Sequence, residues 1–134
     1  MDIVVLQHDG RLAKSIDLEL DGYREATQDK RRVAHRDFQA MLRELRRVTE
    51  GKSMVSGVYS LNSEELLIYT IHGYEKDGKS VVITRLNTHT GGSDSKWVQW
   101  GDMPVYAQNN KVYFIDNESE PVKIHIMEIN DYWD

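Results

Sequence analysis

Hydrophobic and polar positions follow two rhythms along this chain. Over residues 29–49, DKRRVAHRDFQAMLRELRRVT, apolar residues recur every three or four places: Ala34, Phe38, Met41, Leu42, Leu45 and Val48. At about 100° per residue they share roughly one third of a helical wheel, the signature of a helix buried along one side. Asp29 or Thr27 is placed to cap its start, and Gly51 to take a left-handed conformation just past its end. Arg32, Arg36, Arg43, Arg46 and Arg47 occupy the opposite third.

Elsewhere the period is two, broken by turn residues. Ile16, Leu18 and Leu20 alternate with Asp17 and Glu19, and a short apolar run at 3–6 precedes the Asp9-Gly10 turn signal. Residues 2–20 therefore read as a hairpin. A strand is expected over 54–61, with Gly57 at a bulge, and a stronger one over 66–74. In the latter, Leu67, Tyr69 and Ile71 face one way and Ile68, Thr70 and His72 the other. Asp77-Gly78 turns the chain into a partner strand over 81–86. Residues 87–96, NTHTGGSDSK, contain no apolar side chain and read as a loop, followed by a short strand over 96–100. Asn109-Asn110 joins 105–108 to 111–115 as a third hairpin, because asparagine tolerates positive φ. A last strand covers 122–129, and the tail is either pinned by Tyr132 or Trp133 or frayed.

Strands joined by short turns must be mostly antiparallel, since a parallel return needs a long crossover. The expected fold is α+β: a curved antiparallel sheet of about six to nine strands packed on one long helix, in the order β-β-α-β-β-β-β-β-β. No repeat or linker divides the 134 residues, so a single domain over 1–134 is expected.

Charge adds an asymmetry. The net charge is −5, yet residues 24–50 carry eight basic and five acidic side chains, a local +3 that leaves −8 elsewhere. The arginine stripe reads either as a solvated face, helped by pairs such as Glu44 with Arg47, or as a docking surface for carboxylates or phosphates. Nucleic acid is a partner the overall acidity disfavours. The carboxylates of 116–120 and Glu128, Asp131 and Asp134 complement the stripe, a route to a homodimer. Without cysteine there is no disulfide, thiolate metal site or cysteine nucleophile. The start lacks a basic signal-peptide region and no run reaches membrane-span length, which places the expected compartment in the cytoplasm.

Motifs for catalysis are missing. The histidines His8, His35, His72, His89 and His125 stand too far apart for a helical metal pair, and there is no serine elbow or phosphate loop. No catalytic residue, metal or cofactor is assigned. The site-like stretch is the polar loop and its flanks: Arg85, Thr88, His89, Thr90, Gly91, Gly92, Ser93, Ser95, Lys96, Trp97 and Trp100. Consecutive amides about a double glycine form anion-binding concavities, and the tryptophans offer a stacking face for a flat ligand such as a nucleotide. The competing reading is a polar hairpin tip. The leading expectation is a non-enzymatic interaction protein, an inhibitor, immunity or adaptor module of a microbe or virus, that binds another macromolecule through the arginine-rich helix face, the 87–96 loop or both. A small-anion binder or enzyme at 85–100, and a nucleic-acid binder using the helix, are the alternatives.

Overall fold

A computed structural model of the protein describes residues 1–25, 39–40 and 50–134. The expected helix at 29–49, with all five stripe arginines, lies outside the described residues apart from Gln39 and Ala40, which are helical. Beyond it the chain is antiparallel sheet, closed by one short helix.

β1 (Asp2–Leu6) and β2 (Leu12–Asp17) form the first hairpin, with Ile3 opposite Ile16 and Gly10 at φ +85° in the turn. β2 stops short of the expected end at Leu20. Leu18 still pairs with Met1, its N–H donating to the Met1 carbonyl at 2.7 Å and its carbonyl accepting from the Met1 nitrogen at 3.0 Å, and the Leu18 and Leu20 side chains bury themselves against Ile68 and Leu86.

The central sheet has the order β3-β4-β5-β6: β3 (Ser53–Ser60), β4 (Glu65–Lys76), β5 (Lys79–Asn87) and β6 (Ser93–Val98). The register slips between Val55 and Gly57, where the bulge was expected. β4 and β5 are buried on both faces, and each face serves a separate core. Leu67, Tyr69, Val81 and Ile83 enter one apolar cluster, while Ile68 and Leu86 enter the other with the N-terminal segment. A strand apolar on both faces signals such two-sided cover.

A 3₁₀ turn at Trp100–Asp102 and Pro104 then end the pairing and redirect the chain. The third sheet, order β7-β8-β9, comprises β7 (Tyr106–Gln108), β8 (Lys111–Asp116) and β9 (Lys123–Glu128). Asn109 and Asn110 both have positive φ in the β7–β8 turn, as their side chains allow. Ala107, Val112 and Phe114 pack inward on the central sheet, with α1 (Ile129–Trp133) wedged into the same core.

Two expectations need correction. The strands form three sheets rather than one curved sheet. The central and third sheets meet at a seam beside β3 and β7, held by Asn110 N–H to the Leu61 carbonyl at 2.9 Å and Asn62 Nδ2 to Asn110 Oδ1 at 2.7 Å. Secondly, Ser93–Lys96 is strand rather than loop, paired with β5 from Leu86 to Ile83. Its polar composition suits an edge, where backbone pairing on one side needs no apolar alternation. The tail is pinned: Tyr132 is buried with its hydroxyl donating to the Asp102 carbonyl at 2.9 Å, and Trp133 Nε1 donates to Asp94 at 2.9 Å. Among the described residues no helix is long and apolar enough to cross a membrane.

Candidate functional site

The polar loop closes on itself. The Asn87 side-chain oxygen accepts from the amides of His89 and Thr90 at 2.9 and 3.0 Å. Gly91 N–H reaches the Asn87 carbonyl, Gly92 N–H the Thr90 hydroxyl, and Thr88 N–H the Glu64 carbonyl. Asn87 N–H returns to the Gly92 carbonyl. Every amide from 87 to 92 is thereby donated within the protein, so an anion there would have to displace existing bonds. Arg85 is also engaged. It forks onto Glu65, with Nη2 to Oε1 at 3.0 Å, and reaches Asn130.

The other flank divides by strand parity. Trp97 lies on the face of the N-terminal segment, stacked 4.8 Å from His72, with Nε1 donating to Asp21 at 2.6 Å. Ser95 shares that face and meets Thr84 at 3.2 Å. Lys96 points the opposite way, into the space between the central and third sheets. Trp100 is exposed in the 3₁₀ turn. The expected residues are therefore neighbours along the chain but do not converge on one point.

What lies beside residues 96–99 is a cleft of about 690 Å³. The two sheets meet at the β3–β7 seam and splay toward their free edges, β6 and β9, and the cleft fills that opening. Val98, Phe114, Met127 and Tyr132 supply apolar wall. The Lys96 ammonium donates to the Tyr132 carbonyl and sits 4.4 Å from the centre of the Tyr132 ring. Lys79 and His125 also line the space, and Asp102 is its one carboxylate. The size and the mix of apolar wall with few polar groups are those of small-molecule sites. Phe114, His125, Met127 and Tyr132 were not candidates on sequence. A signal was present only in 111–116, which is apolar on both parities; 122–128 alternates, with its isoleucines on the opposite parity from His125 and Met127.

His72 and His125, both on strands, stay apart: His72 is buried under the central sheet and His125 is at the cleft mouth, 3.9 Å from Asp116. His89 is 3.9 Å from Glu64 at the loop tip. Ser53 Oγ lies 2.6 Å from His72 Nδ1 and accepts from Arg24 N–H at 2.9 Å. By distance this is a nucleophile and base, but both are buried and the rings of Tyr74 and Trp97 lie 4.8 Å from the imidazole. The pair works as a clamp that ties the 21–24 turn to the sheet. Burial holds the His72 pKa below the usual histidine value; Asp21 opposes this and Arg24 adds to it. Among the described residues no group of three histidines or carboxylates is placed to hold a metal.

One more surface stands out. Residues of β8 and β9 that point away from the core are Lys111, Tyr113, Ile115, Ile124, Ile126 and Glu128, paired across the strands as Lys111–Glu128, Tyr113–Ile126 and Ile115–Ile124. The three isoleucines are 46%, 65% and 59% exposed. Tyr106 extends the face, its ring 5.6 Å from that of Tyr113. Comparison with family models, with curated proteins and with solved structures finds no match.

Proposed function

We propose that the protein is a small non-enzymatic interaction protein, of the inhibitor, immunity or adaptor type, which docks a protein partner on the outer face of its third sheet. The observation that supports this is the wet aliphatic ladder of Ile115, Ile124 and Ile126. Fully burying such a side chain contributes about 1.5–3 kcal/mol, and contiguous apolar surface of this kind marks contact sites more often than idle surface.

Among the described residues β9 has no strand on its outer side, which adds to the reading. Ile129 N–H donates to the Asn110 carbonyl, toward β8. By alternation, the backbone groups of Ile124, Ile126 and Glu128 face the open side, where another strand can add. The arginines at 32, 36, 43, 46 and 47 join the proposal on sequence pattern alone, as a guanidinium-rich face for a partner's carboxylates, which a second copy of this chain would also supply. The cytoplasm remains the proposed compartment.

The test is affinity capture from source cells, comparing wild type with Ile124→Lys/Ile126→Lys and with Arg36→Ala/Arg43→Ala/Arg47→Ala. Both isoleucines are exposed, so the lysines leave the melting temperature nearly unchanged. Loss of the captured partner in the isoleucine variant is the expected result. Identical capture by wild type and both variants would remove the proposal.

A further inference from the structure

The cleft between β6 and β9 holds an ammonium that forms no ion pair among the described residues. Lys96 is half-buried, and among the described residues no carboxylate pairs with it. Its ammonium has three donors, of which the Tyr132 carbonyl takes one. A cation held partly out of water gains from an anion far more than an exposed one does. Lys79 stands on the same cleft, so its two lysines outnumber the single carboxylate of Asp102.

The remaining wall is apolar. Val98 is nearly buried, Phe114 packs on the Tyr132 ring at 5.5 Å, and Met127 is 41% exposed at the mouth. A thioether fits bodies of varied shape at low cost. The space, about 690 Å³, is too large for a bare inorganic ion and suited to an organic molecule.

From this the geometry points to a binding site for a small organic anion: a carboxylate or sulfonate held by Lys96, on an aromatic or aliphatic body lying along Phe114, Val98 and Met127. This site goes beyond the protein-docking face, which lies on the other side of the third sheet. The proposed site takes the anion on the cleft side of β6 rather than on the amides of the 87–92 loop.

The test uses the full chain and 8-anilino-1-naphthalenesulfonate, an anion on an aromatic frame, titrated by fluorescence. One saturable site is expected, competed by dodecanoate. Lys96→Met weakens the sulfonate about tenfold or more and leaves the uncharged N-phenyl-1-naphthylamine within about twofold. Met127→Trp fills the mouth and weakens both probes. Ile124→Lys, on the outer face, changes neither, so this site and the docking face fail separately. Because Lys96 also holds the Tyr132 carbonyl, the exposed Lys79→Met serves as the second charge removal if Lys96→Met does not fold, with a loss of about threefold expected. Equal sulfonate binding with and without the lysine charge, or undiminished binding to Met127→Trp, would overturn the assignment. Loss of the probe in Ile124→Lys would also overturn it.

Discussion

Ser53 Oγ lies 2.6 Å from His72 Nδ1, and the serine also accepts the Arg24 amide. His72 is buried, and its other ring nitrogen, Nε2, has no hydrogen-bond partner. Burial disfavours the imidazolium, so His72 in the folded protein binds a proton less readily than in the unfolded chain. Between the lowered pKa and the ordinary value near about 6.5, the unfolded state holds more protons. Stability is therefore whole above that ordinary value and falls as pH drops through it. Melting temperature measured from pH 8 downward should decline in this window, and His72→Gln should flatten the decline. An unchanged slope in the variant would locate the titration elsewhere.

Glu65 and Arg85 form a half-buried ion pair. Their side chains are about one fifth exposed, at 21% and 22%, and Arg85 holds the Glu65 carboxyl below its usual range. Replacing one partner strands the other. Arg85→Met should cost about 1–3 kcal/mol, and the double variant Glu65→Gln/Arg85→Met should recover part of that loss. Urea denaturation of the two singles and the double gives the coupling. Additive losses would mean the ion pair contributes nothing beyond packing.

Local rhythm carried most of the strands. The split of Leu67 and Tyr69 from Ile68 and Thr70 across β4 follows from parity, because a pleated strand leaves no other option. The bulge before Gly57 and the positive φ of Asn109 and Asn110 follow from residue type. Ser93–Lys96 escaped because an edge strand held by backbone pairing can be polar throughout. The cleft escaped for a different reason. Lys96 and Met127 are 31 positions apart, and only the splay of two sheets brings them to one space. Even the loop was legible in composition but not in effect, since one side-chain oxygen, that of Asn87, takes two of the amides an anion would need.

Gly22 separates backbone strain from crowding. It has φ +69°, and an added Cβ would lie 2.6 Å from the Tyr74 hydroxyl and 2.8 Å from the Trp97 ring. The Tyr74 hydroxyl donates to the Gly22 carbonyl, so it cannot swing away without losing that bond. Gly10 has φ +85° but open space around it. Gly10→Ala should cost only the left-handed penalty, about 1 kcal/mol, whereas Gly22→Ala should cost at least about 2 kcal/mol. Equal losses in denaturation would show that Tyr74 and Trp97 yield freely.

Tyr69 brings a hydroxyl into the main core without a partner. Its ring is buried 4.9 Å from Tyr59, and its oxygen has no hydrogen bond. Burial drives its phenol pKa up, since the phenolate would be stranded there. An unsatisfied buried donor costs about 1–3 kcal/mol, and removing it while keeping the ring recovers some of that. Tyr69→Phe should therefore stabilise the protein by about 1 kcal/mol. Tyr132→Phe gives the opposite sign, because its hydroxyl donates to the Asp102 carbonyl at 2.9 Å, and deleting it leaves that carbonyl without the bond. Two tyrosines in one core should thus shift the urea midpoint in opposite directions. A loss of stability in Tyr69→Phe would mean that the hydroxyl has a partner after all, with a bound water the first to look for.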